Sequence, residues 1–123
     1  MLSVLVSALL ILVSVIHLLP LSGALSRERV AGLYDVPVEG PDLTILLRHR
    51  AILFGLLGAF LLFAAFVPTL QVSAIIAGLV SVLSFIAIAA SVGGYNAAIR
   101  RVVIADRIAV VALLVAAGLR LLG

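Results

Sequence analysis

The sequence predicts an all-α integral membrane fold: four transmembrane helices running up and down in one bundle, with a short interfacial helix in the first loop. Three observations carry this. Of the 123 residues, 66% are hydrophobic and only 11% are charged, whereas soluble domains have about 45–50% apolar and about one-quarter charged residues. Mean hydropathy is +1.47. Four stretches, Leu2–Leu19, Ala51–Val67, Val72–Val92 and Val102–Leu122, approach or reach the roughly 20 apolar residues that cross a bilayer. The connections leave no room for a separate soluble domain, so residues 1–123 are expected to form a single unit.

The first span (about 2–19) could be mistaken for a secretory signal. It lacks a basic leader, its apolar run is too long, and "HLLPLSG" offers no small-x-small cleavage site, so it is expected to be retained. In the first loop, "SRERVAGLY" places Val30, Leu33 and Tyr34 at i, i+3 and i+4, the pattern of a short interfacial helix. "DVPVEGPD" then breaks structure, and Asp42 after Pro41 reads as the N-cap of the second span (about 43–67). On that reading Arg48, His49 and Arg50 lie inside the helix as a collar at its arginine-rich end. The turn "VPTLQ" is short enough to make the second and third spans antiparallel neighbours, with Thr69 expected to cap the third (about 70–92). In "GGYN", Gly93 and Gly94 can end that helix, and Asn96 can cap the fourth (about 97–122).

Orientation follows from the arginines, which are the only basic residues apart from two histidines. Arg27, Arg29, Arg48, Arg50, Arg100, Arg101 and Arg107 belong to one side, and Arg120 alone to the other. By the positive-inside rule, loops one and three are expected in the cytoplasm, with both termini outside the inner membrane. This distribution suits lipid headgroups rather than nucleic acid. The absence of cysteine excludes disulfides, thiolate metal sites and thiol catalysis.

Helical wheels give each span a small or polar stripe through which helices can approach inside lipid. The stripes are Ser3, Ser7, Ser14 and His17; Ala51, Gly55, Gly58 and Ala65; Ser73, Ala77, Ser84 and Ser91, with Ser81 and Ala87 alongside; and Ala105, Ala109, Ala112 and Ala116. Gly55, Gly58, Ser84 and Ala109 are the expected packing positions. Helix packing alone accounts for such stripes.

Asp106 is the residue most suggestive of chemistry. It lies about 15 Å along the fourth span from Asn96, too deep for a short carboxylate to reach water by snorkelling. On the wheel Arg48 falls beside the inward stripe, His49 nearly opposite and Arg50 to the side, so Arg48 is the expected partner of Asp106. His17, Asn96 and Tyr95 complete a candidate cluster with Arg50 nearby. One reading is an interhelical ion pair with topology anchors. Another is a headgroup, quinone or small-anion site, in which arginine grips an anionic oxygen and His17 exchanges a proton. His17 and His49 lack metal-ligand spacing, and no metal or resident cofactor is expected beyond a bound quinone or lipid. The first span lacks the glutamate that small multidrug transporters embed there, and the arginine bias is unlike that of dual-topology fluoride channels.

"HLLPLSG", "LRHRAILFGLLG", "SFIAIA" and "GGYNAAIRRVVIAD" resemble, at similar positions and over nearly the whole chain, a group of small bacterial four-helix membrane proteins of DoxX-like type. Similar chains are often labelled phosphopantetheine adenylyltransferase. That soluble enzyme needs an α/β fold and a His-x-Gly-His element, which His17 and His49 do not fit. Some DoxX-like proteins are thought to serve quinone-linked oxidoreductases, and the resemblance implies such a role as one alternative. The expected function is a non-enzymatic accessory or a lipid- or small-ligand-binding bundle. The alternatives are a quinone-linked membrane subunit and a small-solute transporter or channel. Expected partners are membrane lipids, with self-association or a larger membrane complex.

Overall fold

The computed structural model describes all 123 residues and contains five α-helices and no strand. Helix α1 (Leu2–Leu18) continues as a 3₁₀ turn over Leu19–Ala24; α2 covers Arg27–Tyr34, α3 Gly40–Ala65, α4 Gln71–Val92 and α5 Ala97–Leu122. With the 3₁₀ segments, four units of 23 to 26 residues are long and apolar enough to cross a membrane, which makes this a multi-pass membrane protein.

Local chemistry sets the boundaries. Pro20 cannot donate to the carbonyl one turn back, so the chain tightens to 3₁₀ there, and the first span runs to Ala24 rather than 19. The buried Gly23 makes that path fit, because a Cβ there would stand 2.9 Å from Val30 Cγ2 and 3.2 Å from Leu33 Cδ1. Helix α3 starts earlier than expected. Proline is accepted in a first turn, so Pro41 and Asp42 sit inside the helix, and Glu39 rather than Asp42 occupies the N-cap position. Thr69 lies in a 3₁₀ turn (Pro68–Leu70) instead of capping α4. Ser26 and Asn96 do cap: they accept hydrogen bonds from Arg29 N (3.1 Å) and Ile99 N (2.8 Å). Gly93 and Gly94, at φ of 67° and 68°, carry the chain from α4 to α5.

The four spans form an up-down ring in which α1 and α4 each pack against both α3 and α5. The α1–α3 seam is the most extensive and the α3–α4 seam the least. Leu10, Leu61, Leu113 and Val82 are fully buried and fill the cross-section. Leu56, Phe63, Val80 and Val111 are exposed on the outside. This is the partition expected when lipid is the solvent. The stripes of α3 and α5 face inward: Ala51, Gly55, Gly58 and Ala65, and Ala109, Ala112 and Ala116, are all buried.

On α4 the serine face points the other way. Ser73, Ser84 and Ser91 are exposed, while Gln71, Ala74, Ile75, Gly78, Val82 and Ala89 face inward. Ser84 is therefore not a packing position. Its hydroxyl donates to Ser81 O (3.0 Å) and that of Ser91 to Ile88 O (2.9 Å), so neither serine needs the bundle interior. Ser3 on α1 is exposed as well.

Helix α2 does more than lie in an interface. Val30, Tyr34 and Val38 form a second small core with Leu33, Leu47, Ile99 and Val102, which seats α2 across the arginine-rich end of the bundle.

Candidate functional site

His17 projects from the last turn of α1 and is almost wholly buried. Its Nδ1 lies 3.0 Å from Val13 O and its Nε2 3.1 Å from Ser81 Oγ. A carbonyl can only accept, so Nδ1 carries the proton, and Nε2 then accepts from the serine hydroxyl. Both ring nitrogens are thus engaged, Nδ1 within α1 and Nε2 in tying α1 to α4. The imidazole contributes a wall to the site, 5.7 Å from the Phe54 ring.

The expected Arg48–Asp106 pair does not form. Arg48 is exposed and donates from Nε to Ala24 O (2.9 Å), at the end of the 3₁₀ turn. The reason is which neighbour the small stripe of α3 meets. Cβ atoms added at Gly55 and Gly58 would strike Leu21 and Leu18, so that stripe, and Arg48 with it, faces the first span rather than α5. Arg50 is the inward arginine. Its Nη1 donates to the Tyr34 hydroxyl, and its guanidinium lies 5.1, 4.4 and 5.4 Å from the ring centres of Tyr34, Phe54 and Phe85. Three aromatic rings at such distances stabilise a cation away from bulk water. His49 points outward, as the wheel places it.

Asp106 is only 8% exposed and takes part in no ion pair or protein hydrogen bond; the one side-chain ion pair of the chain joins Arg27 to Glu28 on the surface of α2. Its carboxylate lines a cavity of about 310 Å³ between α1 and α5, roofed by α2 and walled by His17, Tyr34, Phe54 and Arg101. Arg50 acts on Asp106 through space without touching it. The Tyr34 hydroxyl accepts from Arg50, which leaves its own proton directed elsewhere. The residues lining this cavity thus include an uncommitted carboxylate, a phenol and, at its rim, the exposed Arg101. Such a setting offers both an acceptor and donors to a polar group.

Asn96 belongs to the scaffold of this site. Besides capping α5, it donates from Nδ2 to Tyr34 O and Asp35 O, both at 2.9 Å, and so pins the end of α2 to the start of α5. Tyr95 is half-buried beside it and does not line the cavity. Sequence reasoning missed Tyr34, Phe54 and Arg101 as site residues. The tyrosine had a usable signal, since a hydroxyl-bearing ring on the apolar face of a helix needs a polar partner when buried. A polar network at the opposite end was missed too. There Ser7 Oγ donates to Ala65 O (2.6 Å), Gln71 Nε2 to Ala65 O (3.4 Å) and Arg120 Nη1 to Gln71 Oε1 (3.1 Å).

Compared with protein-family models, with curated proteins and with solved structures, the chain matches none.

Proposed function

We propose that this protein is a non-enzymatic binding protein of the bacterial inner membrane that seats the polar head of a small amphiphile between α1 and α5, beneath α2. The observation that carries the reading is Asp106: a carboxylate held in a largely apolar cavity without a protein partner. An ionisable group at such depth is costly, and a ligand that donates to it offsets the cost. The Tyr34 hydroxyl supplies the complementary donor and Phe54 an apolar wall. The volume suits the lower end of small-molecule sites, about 300 Å³ upward. In this reading the arginine-rich end, with the cavity mouth, faces the cytoplasm.

A quinol is one ligand of this class, because one hydroxyl could donate to Asp106 while the other oxygen accepts from Tyr34. That keeps a quinone-linked, DoxX-like subunit as the second reading. Transport across the bundle has less support, because Leu10, Leu61 and Leu113 fill its middle.

The test is extraction of purified protein followed by mass spectrometry of the bound small molecules. Tyr34→Phe and Asp106→Asn preserve shape and each remove one polar contact, so each is expected to lower occupancy of the retained species about tenfold. Identical extracts from the original protein and both variants would overturn the proposal.

A further inference from the structure

At the opposite end of the bundle, Arg120 forms no ion pair with an acidic side chain. The five acidic residues are Glu28, Asp35, Glu39, Asp42 and Asp106, all in the first loop or along the arginine-rich half of the chain's spans. Arg120 spends Nη1 on Gln71 Oε1 (3.1 Å), which fixes the plane of its guanidinium. Its Nε is buried and donates to nothing. The residue borders a second cavity of about 150 Å³, whose other walls are Leu2, Ser3, Val6, Leu119 and Gly123. The exposed Ser3 adds a hydroxyl, and the first turn of α1 beside it has no side-chain cap.

Depth along α5 indicates what fills such a place. Arg101 and Arg120 are 19 residues apart, about 28 Å along a helix, close to the roughly 30 Å of a bilayer's hydrocarbon core. When Arg101 is level with the headgroups of one leaflet, Arg120 is level with those of the other. We infer that Arg120, with Ser3, holds the phosphate diester of a membrane phospholipid in the leaflet facing the chain termini. The guanidinium offers the Nη protons not spent on Gln71 to an anionic oxygen, the serine hydroxyl offers a further donor, and Leu2, Val6 and Leu119 flank the glycerol end.

Thermal unfolding in detergent tests this with three additives: dioleoylphosphatidylglycerol, dioleoylglycerol (the same chains without phosphate) and inorganic phosphate. At about ten times its Kd, a ligand of the native state alone raises the Tm of a chain of this size by about 5 °C. That rise is expected with phosphatidylglycerol only, and it is expected to vanish in Arg120→Gln. Arg120→Gln also loses the Gln71 contact, so Ser3→Leu serves as the second variant. It crowds the cavity and leaves the Arg120–Gln71 hydrogen bond intact, and it should lose the lipid effect with a near-original basal Tm. An equal response to dioleoylglycerol would mean the chains alone bind. An equal response to inorganic phosphate would make this a free-anion site. Undiminished lipid stabilisation in both variants would place the lipid elsewhere. Each of these three results overturns the inference.

Discussion

Gly58 packs against the last turns of α1, and replacing it with alanine gives the sharpest test of the packing. A Cβ built there stands 2.8 Å from Leu18 Cγ, 2.9 Å from Leu18 Cδ2 and 3.1 Å from the backbone oxygen of Ser14. The first atom is a branch point and the last belongs to a helix backbone, so relief requires the helices to part. Overpacking of this kind costs about 1–3 kcal/mol, while alanine recovers about 1 kcal/mol of helix propensity over glycine. The net expectation is a loss of about 0–2 kcal/mol, read as a fall in Tm of up to about 8 °C in detergent. Gly55→Ala should be milder, because its obstacle is the movable Leu21 side chain, with the nearest contact at 2.5 Å to Cδ1. Gly118→Ala meets nothing within 4 Å and should be neutral or slightly stabilising. Denaturation midpoints of the three variants, measured together, give the order. If Gly58→Ala is as stable as Gly118→Ala, the α1–α3 interface is not the one described, and the placement of Arg48 and Arg50 derived from it fails as well.

Two further outcomes follow from the arginine-rich end. Arg50→Gln removes a hydrogen bond to Tyr34 and the three ring contacts and should cost about 1–3 kcal/mol. Arg48→Gln gives up one exposed hydrogen bond and should cost about 0.5 kcal/mol. A double-mutant cycle of each with Asp106→Asn, read by thermal unfolding, should show coupling for Arg50 and none for Arg48; the reverse pattern would restore the original pairing. Reporter fusions within residues 36–40 and after Gly123 should report cytoplasm and exterior respectively, and the opposite result would refute the orientation drawn from the arginines.

The fold was legible because the bilayer simplifies the problem. Long apolar runs must be helices, and Gly93, Gly94 and Asn96 mark breaks by local chemistry that needs no tertiary context. The same holds for the glycines of α3 and the alanines of α5, whose only use is close approach. What a wheel cannot supply is the identity of the neighbour on each face. Arg48 was correctly placed beside the stripe of Ala51 and Gly55, but that stripe meets the first span, so the guanidinium finds Ala24 O instead of Asp106. The serines of α4 misled for a different reason: a hydroxyl can satisfy itself on its own helix, so small polar residues mark an interface less reliably than glycine. Proline at 41 looked like a boundary because a first turn tolerates what a helix interior rejects. Arg120 counted only as the odd arginine in a topology argument, and nothing in one sequence joins it to Gln71, 49 positions earlier.

Asn96 has a mechanical consequence for the cavity. Three of its amide's four hydrogen-bonding positions are spent: Oδ1 holds the first turn of α5, and the two Nδ2 protons hold the carbonyls of Tyr34 and Asp35 at the end of α2. If α2 lifts while Asn96 stays, two carbonyls lose their donor. If Asn96 follows α2, the Ile99 amide is uncapped and α5 begins to fray. Unroofing the cavity therefore costs either the two carbonyl bonds at the end of α2 or the cap at the start of α5. A molecule lodged beneath α2, against Ala98 and Val102, would therefore lengthen the lifetime of α5's first turn as well as hold the roof in place.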